Sequence, residues 1–318
     1  MARTKVAARR TGTSGVVPAS RRSSRAGSAT RGWRTSTRSK APRRAAATTV
    51  VSFALMLLGA LTMILPFLWM VSTSLKESRL VFQFPPQWIP HPVDWANYLE
   101  VWSTSPLATG LRNSIIVTVL VVTVGTFSST MAAFAFAKLD FPHKRTIFTA
   151  LLATIMIPLV VLIIPQFLVF VQVGWIDTLL PLIVPGLLGN VTMIFFLRQY
   201  MLGIASELLE AASLDGAGYF RIYWRVFLPL CRPAIAANVI IVFMATWNDY
   251  LGPLIFTSSP ENSTVQLAIA SMNSFYAEQT NYPMIMAASV IAVLPVIILF
   301  TALQRYFVDS FAFSGIKG

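Results

Sequence analysis

The sequence is poor in charge, in cysteine and in histidine. Only 12% of its 318 residues are charged, about half of the roughly 25% that is usual in soluble globular domains. The single cysteine, Cys231, excludes an intramolecular disulfide, and the two histidines, His91 and His143, are too few for a multi-histidine metal site. A disulfide-stabilised scaffold and a zinc site are therefore excluded, and an ordinary cytosolic enzyme is disfavoured.

The chain also lacks the short motifs on which catalysis would depend. No stretch reads G-x-x-x-x-G-K-[ST], the loop whose amides bind nucleotide phosphates, so we do not expect this chain to hydrolyse ATP by itself. H-E-x-x-H, G-x-S-x-G and C-x-x-C are absent, and one cysteine with two distant histidines provides no nucleophile and base. The sequence predicts no catalytic residue, no metal site and no cofactor held by this chain.

Apolar residues are what the sequence has in excess: 55% of its residues are hydrophobic and its mean hydropathy is +0.67. That is more than one water-soluble core of this size would use, so much of the surface must face a membrane. A charge at the bilayer centre costs at least about 2.5 to 3.5 kcal/mol, so uncharged intervals of roughly 20 residues mark membrane spans. Five such intervals occupy residues 45–75, 113–137, 146–176, 178–197 and 279–304.

A sixth span lies within residues 233–248. Its uncharged stretch would extend only about 24 Å as a helix, so the span must run past Asp249 or begin earlier. Six spans place both termini on the same side, where they share a compartment with every basic residue except Lys76, Arg79 and Arg112. The positive-inside rule makes that compartment the cytoplasm. The sequence thus predicts an all-α integral membrane protein with six transmembrane helices and cytoplasmic N and C termini.

The first 44 residues differ from the rest of the chain. They contain 13 of the 25 Lys and Arg residues and no Asp or Glu, without an apolar period, and so we predict a disordered basic tail at 1–44 followed by a transmembrane domain at 45–318. Three interpretations of the tail stay open: a solvated extension that reinforces topology, an arm for anionic lipid headgroups or nucleic acid, and a transit peptide.

Two further features concern the shape of the spans. Residues 76–111, on the outer side, interleave six aromatic residues with five prolines, which is typical of either an ordered cap or an interfacial aromatic belt. Prolines inside the spans predict kinked or interrupted helices, tolerated where protein or water satisfies the freed carbonyls. These prolines are Pro66, Pro158, Pro165, Pro181, Pro185 and Pro295.

The cytoplasmic connection at about residues 203–233 carries the most information. We expect a helix from Ser206, with Glu207 and Glu210 in its first turn, that ends at Gly216. A second helical stretch then carries exposed aromatic residues towards Pro229. Such a patch is too apolar to lie bare in the cytoplasm, so it is either a docking surface or packs beneath its own membrane helices.

Within this connection Glu210-Ala211-Ala212, Asp215-Gly216-Ala217, Leu228-Pro229 and Pro233 match the EAA loop of binding-protein-dependent ABC importer permeases. Residues 247–250, which read Trp-Asn-Asp-Tyr, and the C-terminal residues 304–308 and 315–318 resemble the carbohydrate-uptake branch of that family. The resemblance covers about residues 48–318 and leaves the basic tail outside it, and residues 309–313 depart from the family pattern.

The resemblance implies a type I ABC importer (MetI-like) permease fold in a bacterial inner membrane. It also implies a transport subunit that catalyses no covalent chemistry, with ATP and Mg²⁺ bound by partners. Those partners would be a second permease of six to eight helices, two ABC ATPase subunits, an extracytoplasmic solute-binding protein and membrane lipid, without nucleic acid. The expected cargo is a carbohydrate; a non-sugar solute such as a glycerol phosphate or polyol is the first alternative, and a self-sufficient channel or carrier is the second.

Two sets of candidate residues follow from the resemblance. The EAA helix would enter a cleft of the ATPase by a face containing Leu208, Ala211 and Ala212, with Glu210 offering a carboxylate and Gly216 permitting the turn. Asp215 belongs to the same motif. A second set, Trp247, Asn248 and Tyr250, has the stacking and hydrogen-bonding groups that a sugar needs, but we favour the structural alternative, in which these residues cap the helix and pack on the outer segment.

Overall fold

The computed structural model describes residues 41–273 and 280–312, with side chains from residue 48 to 273 and from 280 to 304. Backbone contacts divide the chain into Met1–Leu57 and Leu58–Gly318. The described residues contain helices and no strand, which confirms the all-α fold class. The first helix begins at Ala41, inside the segment predicted as a tail, and because residues 1–40 lie outside the described residues, the predicted domain division stays a prediction.

Fifteen α-helices, some of one turn, make up the described part of the chain. They are α1 Ala41–Ser74, α2 Ala96–Thr104, α3 Leu107–Leu120, α4 Thr126–Lys138, α5 Lys144–Ile155, α6 Leu159–Gln172, α7 Leu180–Leu187, α8 Val191–Leu202, α9 Glu207–Leu214, α10 Tyr219–Ile222, α11 Leu228–Leu230, α12 Arg232–Trp247, α13 Leu251–Phe256, α14 Val265–Ser271 and α15 Tyr282–Ala312. π-Helical turns at Val121–Gly125 and Tyr223–Phe227 join α3 to α4 and α10 to α11.

Four helical stretches are long and apolar enough to cross a membrane: Thr48–Ser74, Leu107–Lys138, Leu180–Leu202 and Tyr282–Gln304. Two bent helix pairs meet the same criteria when the two helices of each are taken together: α5 with α6, bent by 99°, and Tyr219–Leu230 with α12, bent by 80°. Counting each pair as one span gives the six that the charge pattern predicts. The span predicted within residues 233–248 therefore begins before residue 233 rather than running on through Asp249.

The prolines act unequally on these helices. Pro158 stands at the break between α5 and α6, where it precedes the first residue of α6 with an extended backbone, because a proline cannot donate to the preceding turn. Pro66 and Pro295 lie inside helices that continue past them. Only the first of these three prolines coincides with a sharp bend, so the other two do not interrupt their spans.

The outer segment after α1 is ordered by buried polar contacts. The Asn97 amide donates to the carbonyl oxygens of Ser74 and Lys76 at 3.2 and 3.0 Å, and the Lys76 ammonium lies 4.1 Å from the centre of the Trp69 ring. Trp88 meets the same ring edge-on at 5.0 Å. These contacts fix α2 against the end of α1, whereas five of the six aromatic residues of the segment are exposed, so the choice between an ordered cap and an aromatic belt stays a prediction.

Candidate functional site

The connection between α8 and α12 forms a helical elbow, residues 207–230. It begins on the side that the positive-inside rule makes cytoplasmic, and from Tyr219 it leads into the bent pair that α12 completes. Helix α9 begins at Glu207, one residue after Ser206, as the sequence predicts. Ser206 does not cap it with its side chain; instead its hydroxyl lies 3.4 Å from the Lys138 ammonium. The residue just before the elbow is thus attached to the end of α4.

A Schellman cap ends α9. The Ala217 amide donates to the Ala212 carbonyl at 3.0 Å, and the Gly216 amide donates to the Ser213 carbonyl at 3.0 Å, the paired bonds that define this motif. Gly216 has φ +76°, a left-handed conformation that costs other residues roughly 1 to 2 kcal/mol. Its Cβ position meets no atom within 4 Å, so the conformation of the turn, and not a lack of space, requires glycine here.

The two faces of α9 have different surroundings. Leu209 and Ala212 pack against the chain's own core cluster, whereas Leu208, Ala211 and Leu214 are exposed, Leu214 by 88%. The structure thus separates Ala212 from Leu208 and Ala211, with which the sequence had grouped it on one inserted face. Leu214, three residues after Ala211, completes the exposed face; it was missed because helical spacing alone does not show which side the bundle covers.

The acidic residues of the motif are also exposed. Glu210 and Asp215 make no side-chain hydrogen bond or ion pair among the described residues. After the turn, Phe220 stacks on Trp224 with ring centres 6.4 Å apart, and both rings are more than half exposed. The elbow therefore presents an apolar surface with carboxylates beside it, of the kind that marks a protein interface.

One buried aromatic residue joins the elbow to the membrane bundle. The Tyr223 hydroxyl lies 2.8 Å from the Thr130 hydroxyl, and because Thr130 donates its own proton to the Phe127 carbonyl at 2.9 Å, Tyr223 must be the donor of this bond. Its ring lies 5.5 Å from that of Phe134 on α4. Tyr223 is 1% exposed, so a displacement of the elbow has to be accommodated by α4.

A second attachment uses a cation. The Lys138 ammonium donates to the Ile204 carbonyl at 2.6 Å and lies 5.5 Å from the centre of the Phe227 ring. The Phe227 ring in turn lies 5.1 Å from that of Phe134. The two ends of the elbow are thus held to the same helix, α4, by packing that is largely buried.

On its other face, α4 and the π-helical turn before it line a groove of about 510 Å³ within the membrane-spanning region. Helices α3, α6, α7, α8, α12 and α13 supply most of the remaining lining residues. The helical structure is broken between α7 and α8 beside the groove, where Gly189 has φ +91°. The Asn190 side chain caps α8 there, accepting hydrogen bonds from the Thr192 and Met193 amides at 2.9 and 3.3 Å. Irregular backbone at membrane depth is tolerated where it lines a cavity.

Close backbone contact holds two walls of the groove together. A Cβ on Gly125 would lie 2.5 Å from the Gly186 carbonyl oxygen, and a Cβ on Gly186 would lie 2.8 Å from the Val121 side chain. Small residues at such a crossing let membrane helices approach, as is usual where no hydrophobic force drives them together. The groove wall is therefore fixed by two glycines that the sequence reasoning did not select.

The groove has one ionisable residue among its described lining residues, Asp249, and contains no lysine or arginine. The Asp249 carboxylate accepts a hydrogen bond from the Gly252 amide at 3.1 Å. The hydroxyls of Ser114, Ser129 and Thr246 add polar groups to apolar walls. Such a lining can accept and donate hydrogen bonds to a neutral, hydroxyl-bearing solute, whereas a phosphate would meet a carboxylate and no cation.

The three residues predicted to contact substrate are not brought together. Trp247 is 2% exposed, stacks on Phe243 and donates from its indole nitrogen to the Ala292 carbonyl at 3.0 Å, so it fastens α12 to α15. Asn248 donates to the Met244 carbonyl at 2.9 Å, and Tyr250 is exposed. None of the three is among the residues that line the groove; a role in substrate contact stays a prediction.

A polar clasp on the outer side was not foreseen. Asp177 accepts hydrogen bonds from the Ser258 and Ser259 amides, both at 2.9 Å, and from the Ser259 hydroxyl. The backbone carbonyl oxygen of Asp177 accepts a hydrogen bond from the side-chain amide of Asn262 at 2.6 Å. These donors, first the Ser259 hydroxyl and then the two amides, hold the pKa of the Asp177 carboxyl well below its usual range. The clasp ties the connection before α7 to the connection after α13.

Known proteins resemble this chain over most of its length. A family model described as binding-protein-dependent transport system inner membrane component matches residues 125–312. The arabinooligosaccharides transport system permease protein AraQ of Halalkalibacterium halodurans (strain C-125) is 30% identical over 248 residues, which cover 78% of this chain and 86% of that protein. The sn-glycerol-3-phosphate transport system permease protein UgpE of Yersinia pestis bv. Antiqua (strain Antiqua) is 32% identical over 262 residues, covering 80% and 92%.

A solved structure shows the same fold. The crystal structure of a bacterial ABC transporter involved in the import of the acidic polysaccharide alginate matches with a TM-score of 0.73 at 24% sequence identity. The match covers 83% of this chain and 98% of that one. This chain therefore has the fold of a chain of that transporter.

Proposed function

The chain belongs to the family of binding-protein-dependent transport system inner membrane components, and from that premise we propose that it is a permease subunit of an ATP-driven importer for a carbohydrate, an oligosaccharide or glycoside. A second permease would close the groove of about 510 Å³. Two ATPase subunits would bind ATP and Mg²⁺ and drive the cycle. An extracytoplasmic binding protein would deliver the solute, and this chain would make no covalent change to it.

The observation that carries this proposal is the continuity between the exposed elbow and the groove. Leu208, Ala211 and Leu214 form an exposed apolar face that an ATPase can cover, with Glu210 beside it for a basic partner group. Tyr223 and Phe227 fasten the same elbow to α4, and the segment leading into α4 lines the groove. Movement of the ATPase would reach the groove through packed, buried side chains, as coupling between two sites requires.

The chemistry of the groove favours a neutral, hydroxyl-rich cargo over the alternative. A glycerol phosphate carries a charge that Asp249 would repel, and the described lining residues offer no cation to balance it. Among the similar proteins, AraQ is named for arabinooligosaccharides and UgpE for sn-glycerol 3-phosphate, and the solved transporter is involved in the import of alginate, an acidic polysaccharide. Of these, the arabinooligosaccharide permease supports a neutral saccharide as the transported solute.

Uptake by the reconstituted complex tests the proposal. Proteoliposomes that contain this chain with its co-purified permease and ATPase partners should take up a labelled neutral oligosaccharide only with ATP inside and the binding protein outside. Labelled sn-glycerol 3-phosphate serves as the competing cargo. Uptake by this chain alone, without ATP, would refute the subunit role, and preference for the phosphate ester would refute the carbohydrate assignment.

The elbow is tested by adding a charge to its exposed face. Ala211→Arg adds a large cation on a surface that the chain itself does not cover, so we expect the protein to insert normally but to lose ATPase binding. Ala205→Arg, exposed just before α9, is the matched control and should retain it. Equal ATPase retention by the two variants would contradict docking at this face.

A further inference from the structure

A basic pocket lies at the cytoplasmic end of the bundle, apart from the groove and the elbow. It has a volume of about 560 Å³ and lies between the end of α4, the start of α5 and α8. Three cations line it, Lys144, Arg145 and Arg198, and Phe136 and Phe148 supply its apolar wall. Asp140 is the one carboxylate among its described lining residues, so the pocket carries net positive charge.

The cations of this pocket are positioned but incompletely neutralised. Arg198 donates from Nε to the Phe136 carbonyl at 3.0 Å, and its guanidinium lies 4.2 Å from the centre of the Phe148 ring. The terminal nitrogens of Arg198 have no hydrogen-bond partner among the described residues, and neither has the exposed side chain of Arg145. The Asp140 side chain is fully exposed, and its oxygen lies 3.5 Å from the Lys144 ammonium, a weak pair in water.

A second depression continues from the pocket along α5. It has a volume of about 450 Å³, shares Arg145 and Thr146 with the pocket, and runs on over Thr149, Ala150 and Ala153. At 1.5 Å of rise per residue, the path from residue 145 to 153 is about 12 Å long. Since α5 begins at the cytoplasmic end and runs into the membrane, this shallow channel of small side chains leads from the cations towards the hydrocarbon.

We propose that the basic pocket and the channel together bind one anionic phospholipid. The phosphate would lie on Arg145, Arg198 and Lys144, and an acyl chain would follow the small residues of α5. Basic pockets between membrane helices on the cytoplasmic side suit anionic headgroups, and guanidinium groups suit phosphate in particular. A free phosphate ion could use the cations but would have no use for the channel, so the continuity of the two depressions identifies a lipid.

Phospholipid retention by the assembled transporter tests this proposal. The complex of this chain with its partner subunits is exchanged into nanodiscs containing phosphatidylcholine with a minor fraction of phosphatidylglycerol, re-extracted, and the bound lipid is counted by native mass spectrometry. The wild-type complex should retain phosphatidylglycerol well above its fraction in the disc. Lys144→Gln with Arg145→Gln should weaken the retention about thirtyfold, the change that corresponds to about 1 kcal/mol for each removed cation.

Two matched variants distinguish a bound lipid from a bound phosphate ion and from a general effect of charge. Arg112→Gln removes a positive charge from an exposed position outside the pocket and should leave phosphatidylglycerol retention unchanged. Ala150→Phe fills the channel and leaves every cation in place, so it should also reduce retention, whereas a free phosphate would not respond to it. Size-exclusion chromatography confirms that each variant still assembles.

Three results would overturn the proposal. These are equal retention of phosphatidylglycerol and phosphatidylcholine by the wild-type complex, equal loss in Arg112→Gln, and displacement of the ligand by inorganic phosphate with no effect of Ala150→Phe. If Lys144→Gln with Arg145→Gln does not assemble, the wild-type preference and the Ala150→Phe variant still decide. None of these readouts depends on the transported solute.

Discussion

The hydrogen bond between Tyr223 and Thr130 predicts an unequal response to removal of its two partners. Thr130 donates to the Phe127 carbonyl and accepts from Tyr223, so Tyr223→Phe leaves no donor without an acceptor. We expect it to lower the free energy of unfolding by about 1 kcal/mol, the net value of one hydrogen bond. Thr130→Val preserves volume but strands the Tyr223 hydroxyl in a buried site, which costs about 1 to 3 kcal/mol.

The double variant sharpens this prediction. Once Tyr223 is phenylalanine, Thr130→Val removes only the bond to the Phe127 carbonyl and strands no buried phenol. Thr130→Val in the Tyr223→Phe background should therefore cost less than it does in the wild type. Tyr223→Ala, which removes a ring packed against Phe134 at 5.5 Å, should cost the most, about 3 to 5 kcal/mol by analogy with buried Phe→Ala changes.

Thermal unfolding of the purified chain, followed by loss of monomer on size-exclusion chromatography, gives the order of stability. The expected order is wild type, then Tyr223→Phe, then Thr130→Val, then Tyr223→Ala. In the assembled transporter, Tyr223→Ala should also lower sugar uptake relative to ATP hydrolysis, because the elbow loses its attachment to α4. A Tyr223→Phe variant less stable than Thr130→Val would refute the assignment of donor and acceptor, and unchanged coupling in Tyr223→Ala would refute transmission through this contact.

Three further predictions concern the turn, the groove wall and the outer clasp. Gly216 has a left-handed backbone with φ +76°, which arginine would strain; the Gly216→Arg protein should insert into the membrane normally yet uncouple uptake from ATP hydrolysis. Asparagine tolerates that conformation, so Gly216→Asn should retain coupling. Normal uptake by Gly216→Arg at normal expression counts against the docking role. Gly186→Ala places a methyl group 2.8 Å from the Val121 side chain and should lower the free energy of unfolding by about 1 to 3 kcal/mol, measured by thermal unfolding. Gly218→Ala serves as the control, because the space around Gly218 is open. The pKa of the Asp177 carboxyl is lowered in the folded protein, so the clasp contributes stability above the unfolded pKa of about 3.9 and loses it as the pH falls towards the lower folded value. Limited proteolysis at residues 257–264 should therefore increase only below about pH 4. Proteolysis of the Asp177→Asn variant should not depend on pH in that range.

Much of the architecture follows from local sequence. Uncharged intervals, the unequal distribution of lysine and arginine, and the EAA motif predicted six spans, a membrane location and the permease family. The comparisons confirm the location and the family, and the described helices give four spans, or six when each bent pair is counted as one span. Local sequence suffices there because the cost of a charge in hydrocarbon depends on composition and not on packing. The end of α9 before Gly216 was readable for a similar reason, since a glycine cap depends on neighbouring residues. Its start at Glu207 was also predicted, although the Ser206 side chain does not cap it.

The contacts that unite the elbow with the groove required the tertiary structure. Ala212 carries the same spacing signal as Ala211, and only the packing of α9 against the core cluster shows that Ala212 is partly covered and Ala211 exposed. Trp247 resembles a sugar-stacking residue in sequence, but its indole donates to the Ala292 carbonyl. Gly125 and Gly186, about sixty residues apart, meet at one helix crossing. The sequence by itself determined which segments enter the membrane, because that is a sum over local transfer free energies; the tertiary structure decided which side chains meet, because contacts between distant residues depend on how the helices pack.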